Sequence, residues 1–223
     1  LLFASGKTGP DPEYIGSVID PEEPGTSYKF SSAQGGLDVF GIPGVAVGDL
    51  VVIAYSFDAS NTTNNAYRTW SGMTITAIQS PTSYQAPGFY LGYGFIQSGD
   101  TNPYLATTSA TVFRGLSAMA SVFRGVTTLD ETTETTGLGG MPNTPALGSG
   151  SKLYVRVGHL DDDIITTCSA PTGHTLAGYA TGSHQSSYRS STMLAYGFGG
   201  PTTGGTFGGD KGDSHAGTAA RFS

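Results

Sequence analysis

Apolar and polar residues alternate with a period of two through much of the chain. In residues 152–157, Leu153, Val155 and Val157 fall on one face and Tyr154 and Arg156 on the other, the pattern of a strand in a sheet packed on one side. The same reading predicts strands at 49–57, 73–79, 89–97, 110–114 and 118–126. A second series follows at 152–160, 164–168, 174–180, 190–198 and 218–222, and Gly, Pro, Asn or Asp closes the strands. Earlier strand-like pieces at 1–4, 28–31 and 37–40 are separated by acidic Pro-rich runs at 10–13 and 20–25. Proline at that density blocks helix and central strand, so this stretch reads as a surface loop or extended arm. No segment sustains a 3.6-residue period. The expected fold is all-β, an antiparallel two-sheet sandwich of jelly-roll type.

The pattern also repeats. Leu91-Gly92-Tyr93-Gly94-Phe95 returns as Leu194-Ala195-Tyr196-Gly197-Phe198, 103 positions later. Gly48-Asp49-Leu50-Val51-Val52 matches Ser151-Lys152-Leu153-Tyr154-Val155, and Ser71-Gly72-Met73-Thr74 matches Thr172-Gly173-His174-Thr175, in the same order. Leu, Tyr and Phe at i, i+2 and i+4 share one strand face, so both LxYxF segments are expected to fill the core, with Tyr93 and Tyr196 buried and hydrogen-bonded. The chain therefore reads as one domain built from two similar halves, 48–126 and 150–223 within a sandwich at 48–223. Residues 1–47 form an N-terminal strand and arm of the same domain, and the Thr-rich run 127–140 is a mobile connection. Phe113-Arg114-Gly115 recurs as Phe123-Arg124-Gly125, which predicts a hairpin around Leu116-Ser117 bracketed by edge-strand arginines.

Composition narrows the class of function. Glycine supplies 34 of 223 residues, about twice its usual share of roughly 7%, and serves turns and bulges. Charged residues make up 12% where roughly a quarter is usual, so Ser, Thr, Asn, Gln and Tyr carry the surface, as suits extracellular or virion-exposed proteins. A net charge of −7 with only 10 Lys and Arg argues against nucleic acid as a partner. No membrane partner is expected either, because the most apolar stretch, 37–55, is broken by Asp38, Pro43 and Asp49. Leu1-Leu2-Phe3-Ala4 is too short for a signal core and reads as a first strand. Cys168 is the only cysteine, so no intrachain disulfide is expected, and its β-branched setting reads as a half-buried inert thiol.

The layout from Gly48 to Val126 resembles a module of bacteriophage virion and tail-associated proteins that runs "GDLLVA", "PSGWT", an aromatic strand, "AGDP" and "YRGV". The matching elements are Gly48-Asp49-Leu50-Val51-Val52-Ile53-Ala54, Trp70-Ser71-Gly72-Met73-Thr74, residues 89–95, Ser98-Gly99-Asp100-Thr101-Asn102-Pro103 and Phe123-Arg124-Gly125-Val126. In the second half Pro171-Thr172-Gly173-His174-Thr175 is similar to the second element. His174 stands where that pattern has Trp, and Trp70 precedes its Gly, so a ligand platform resting on those tryptophans would not carry over. The resemblance implies a virion location, with other copies of the chain and other virion proteins as partners.

The candidate chemistry is sparse. Asp161-Asp162-Asp163 offers hard oxygens but not the six or more ligands of a calcium loop, and Asp210-Lys211-Gly212-Asp213 with His215 is similarly thin. His159, His174, His184 and His215 lack zinc spacings. Gly199-Gly200 and Gly204-Gly205 lack the rest of a phosphate loop. Glu131 and Glu134 would need a fixed separation to act as acid and base. No metal, cofactor or catalytic residue is assigned, and a polysaccharide-degrading enzyme is the least supported reading. Tyr67, Trp70, Tyr84, Tyr104, Tyr179 and Tyr188 lie at strand ends or in polar loops, where aromatics stack on sugars or fill interfaces. Leu1, Leu2, Phe3 and Tyr14 are the candidate assembly arm. The expected function is a non-enzymatic structural protein of a phage particle, exposed on tail, fibre or capsid. The alternative is a lectin-like receptor-binding module contacting host-surface glycans.

Overall fold

The computed structural model describes residues 10–20, 36–58, 70–79, 88–105, 114–161, 163–184, 188–200, 202–212 and 214–223. The first half contributes β1 (Glu13–Ile19), β2 (Leu50–Asp58), β3 (Trp70–Ser71), β4 (Thr76–Gln79), β5 (Gly88–Phe95), β6 (Tyr104–Leu105) and β7 (Arg114–Arg124). The second contributes β8 (Leu129–Gly137), β9 (Asn143–Thr144), β10 (Leu153–Asp161), β11 (Cys168–Ser169) and β12 (Thr175–His184). It continues with β13 (Tyr188–Phe198), β14 (Gly205–Thr206), β15 (Gly208–Gly209) and β16 (His215–Phe222). Two five-stranded antiparallel sheets pack face to face, an all-β sandwich. The path is simpler than a jelly roll's alternation between sheets. Each sheet is completed within its own half, and the chain crosses between them at residues 125–128.

The duplication extends beyond the repeated residues. Sheet order is β1-β7-β2-β5-β4 in one half and β8-β16-β10-β13-β12 in the other, the same path through first, last, second, fourth and third strand. Register matches as well: Leu50 pairs with Phe95 and Phe123, and Leu153 with Phe198 and Phe222. Even the bulges correspond. The extra residue is Ile15 opposite Phe123 and Asp130 opposite Phe222, and Ile78 and Ala177 bulge beside Leu91 and Leu194. The repeating unit therefore begins at β1 and β8, upstream of where the residues alone placed it.

The inner faces carry the shared core. Leu50, Val52, Ala54, Leu91, Met119 and Phe123 of the first sheet meet Leu153, Val155, Val157, Leu194, Ala220 and Phe222 of the second. Two ring contacts across it match. Phe123 meets Tyr196 at 5.5 Å and 69°, and Phe222 meets Tyr93 at 5.6 Å and 68°. Each outer face is roofed by its own loops: Leu37, Val39, Trp70, Met73 and Ile96 cover the first sheet, and Ile165 and Phe207 the second.

Several expectations are corrected. Tyr14, placed in the arm, belongs to β1, because Tyr14, Ile15, Val18 and Ile19 suffice for an edge strand between the prolines. Residues 37–40 are not a strand: Val39–Gly41 is a 3-10 turn capped by Asp38, which accepts from Gly41 N at 3.1 Å. The Thr-rich run is edge strand β8, whose β-branched residues suit a pleated surface. No hairpin turns at Leu116-Ser117, since β7 runs unbroken between β1 and β2. Residues 164–168 form only the short β11, because the Thr166 and Thr167 amides donate to Asp210 instead of a strand partner. Tyr93 and Tyr196 are half-buried, and Phe198, expected in the core, is 40% exposed. Phe198→Ala should therefore cost less than about 1 kcal/mol, against the roughly 3 to 5 of a fully buried Phe, as denaturant titration will measure.

Candidate functional site

The inner face changes character along the strands. At the end where β2 and β10 finish, large apolar side chains give way to Ser56, Ser117, Ser190 and Thr192, all fully buried. Their hydroxyls form one network: Ser56 to Ser117 at 2.9 Å, Ser56 to Thr192 at 2.5 Å, Ser117 to Thr192 at 2.8 Å and Ser117 to Ser190 at 2.9 Å. Backbone carbonyls of the opposite sheet, Ser191 O for Ser56 and Ser117 O for Thr192, are alternative acceptors for the same hydroxyl protons. Such bonds require small side chains and close sheets. Gly182 permits the approach, because a Cβ there would come within 2.2 Å of Leu116 O.

His159 sits in this seam. Strand parity puts it on the face of Val155 and Val157, opposite Thr192 and Ala216 on the neighbouring strands. It is fully buried, its ring lies 5.1 Å from that of Phe89, and neither ring nitrogen has a hydrogen-bond partner. Burial pushes its pKa down to about 3, so the imidazole is neutral near pH 7. A general base needs access and a pKa near the working pH, and His159 has neither. Reading the alternation of β10 one step further would have marked His159 as an inward histidine.

The other titratable candidates are held in structural contacts. Glu131 accepts from Gly148 N at 2.8 Å and Arg221 Nε at 2.6 Å, which lower its pKa, whereas burial raises that of Glu134. Carboxylates with opposed shifts suggest an acid and base, but three positions apart on β8 they point to opposite faces. Asp210 accepts from the Thr166 hydroxyl and from the Thr166 and Thr167 amides, and these bonds hold its carboxyl well below the usual range. Arg156 lies fully buried on the outer face, donating to the carbonyls of Pro145, Thr202 and Thr203 and to His174 Nε2. Because a guanidinium only donates, Nε2 is the unprotonated nitrogen of His174, and Nδ1 faces Thr172 O. Among the described residues no group of three or more His, Cys, Asp or Glu could hold a metal ion.

Cys168 is half-buried beside Leu160, Ile165 and Phe207, and burial pushes its pKa up to about 12. Only a thiolate is a strong nucleophile. At pH 8 a thiol reagent should modify native Cys168 at least tenfold more slowly than the unfolded chain, and equal rates would contradict that setting.

The aromatic candidates separate. Trp70, expected to offer an exposed ring, is 8% exposed and packs against Tyr55 and Tyr90. Tyr104 is half-buried in β6, paired with Ser71. Tyr179 is half-buried with its hydroxyl donating to Thr166 O at 3.0 Å. Tyr188 opens β13 opposite His184. Tyr14 stacks on Tyr196 at 4.6 Å inside the chain's own sandwich. Leu1, Leu2, Phe3, Tyr67, Tyr84, Asp162 and Asp213 lie outside the described residues.

The motif residues, too, make scaffold contacts. Asp49 takes Arg124 Nε and Nη2 at 2.8 Å each and caps Ala46 N, joining β2 to β7. Asp100 accepts from Gln97 N at 2.7 Å, and Gly72, at φ +84°, accepts from Thr101 N at 2.8 Å. Comparison of the chain with known protein-family models, curated proteins and solved structures finds no match.

Proposed function

We propose that the chain is a non-enzymatic structural protein on the surface of a bacteriophage particle, working by packing against other copies and other virion proteins. The reading rests on the ordered motif set from Gly48 to Val126, and the observation that carries it is what those residues do. Asp49, Gly72, Asp100 and Arg124 each fix strand to strand or close a turn, so the resemblance is one of scaffold. A scaffold with Glu131, Arg156, His159 and Asp210 committed internally offers its surface as its working part. The glycan-binding alternative draws less support, since Trp70 is in the core and the Tyr179 hydroxyl is engaged. Antibody to this chain should label purified particles at regular surface positions, with the protein present in stoichiometric amount by mass spectrometry. Its absence from purified particles would defeat the proposal, and selective binding on a glycan array would favour the alternative.

A further inference from the structure

The matched contacts between the sheets are related as the two sides of a dimer are. Equivalent positions are Ser56 and His159 on β2 and β10, Phe89 and Thr192 on β5 and β13, Tyr93 and Tyr196, and Phe123 and Phe222. Exchange the labels and two of the cross-sheet contacts become other observed contacts. Phe123 against Tyr196 becomes Phe222 against Tyr93, with centroid distances of 5.5 and 5.6 Å. The Ser56–Thr192 hydrogen bond becomes the stack of His159 on Phe89. Residue i meeting j while the equivalent of j meets the equivalent of i defines an isologous interface, the commonest kind between identical subunits. Here two contact pairs of that kind lie within one chain, while β12 packs across β7 more closely than β4 does across β16.

We infer that the inner face of each sheet is a docking surface that can take the opposite half of a second copy of this chain, so that two copies exchange halves. The inference does not depend on where the protein works. It stands on three observations. Every strand of each five-stranded sheet comes from one half, so a half can leave without breaking a ladder. The halves are joined by four residues, Gly125 to Thr128, and short connections favour exchange. In both the closed and exchanged forms the same contacts form, so the difference in free energy lies in the connection and in the concentration of chains.

The test uses the full chain. Unfolded protein refolded at increasing concentration should yield, by size-exclusion chromatography with light scattering, a growing fraction of folded species at twice the 22.9 kDa chain mass. This dimer should persist on dilution and revert to monomer after renewed unfolding. Only monomer at every refolding concentration would overturn the proposal. The mode of association is read by two variants on a Cys168→Ser background, S56C and T192C, whose parent oxygens lie 2.5 Å apart. Refolded together under oxidising conditions, they should give mixed disulfide-linked dimers several-fold in excess of either homodimer. A dimer with no such excess would show pairing through another surface and would also overturn the proposal.

Discussion

Acid should begin to destabilise this protein well above the pH at which its carboxylates titrate. His159 has an ordinary pKa of about 6.5 in the unfolded chain and about 3 when folded, because the interior cannot solvate its charge. Between those values the unfolded state binds more protons, so stability is full above about pH 7 and falls as pH drops through 6.5. Each unit below it removes about 1.4 kcal/mol, giving about 3 kcal/mol by pH 4.5 and about 4 to 5 by pH 3. His174 adds to the loss, since burial and the adjacent Arg156 also lower its pKa. Asp161 follows His159 on the same face of β10, and Phe89, Thr192 and Ala216 face the ring from β5, β13 and β16. Urea titrations from pH 8 to 4 should show this slope in the wild type and about half of it or less in His159→Leu. An unchanged slope would locate the acid sensitivity elsewhere. At pH 7 the variant should be as stable as the wild type or more so, because it removes two unpartnered nitrogens.

Arg156→Met should cost about 1 to 3 kcal/mol at pH 7, the usual cost of leaving buried acceptors without a donor. The guanidinium draws the carbonyls of Pro145, Thr202 and Thr203 together and bonds His174, so it ties two loops to the outer face of the second sheet. Methionine keeps the stem's volume and leaves Pro145 O and Thr203 O without the guanidinium donor, while Thr202 O keeps the Leu147 amide. The equivalent position in the first sheet is Ile53, buried under Leu37 and Met73, which shows that the duplicated scaffold itself needs no charge here. Chemical denaturation will measure the loss. A second readout separates this role from packing: without Arg156 beside it, His174 should titrate at higher pH by NMR. A loss below about 1 kcal/mol with an unmoved His174 would mean that the carbonyls find other partners.

Strand alternation and the recurrence of LxYxF were enough to predict an all-β sandwich from two similar halves, because period-two patterning and residue identity are local properties of the chain. The first edge strands escaped that reading. β1 and β8 share a bulge and a sheet position but no residues, since an edge strand is defined by its neighbour's open backbone more than by its own side chains. Trp70 and Tyr179 could not be ranked as buried or exposed in advance, for their burial depends on which loop closes over which sheet face. His159 was half legible: parity points it inward, but only the packing of Phe89 and the hydroxyl row against it strips it of partners and solvent. Glu131 and Glu134 show the converse, because assignment of β8 alone separates them onto opposite faces. What the residues determined unaided was the kind of surface each strand presents. Which surfaces meet, and therefore that the two halves face one another across their inner sheet faces, depends on long-range packing that no local window contains.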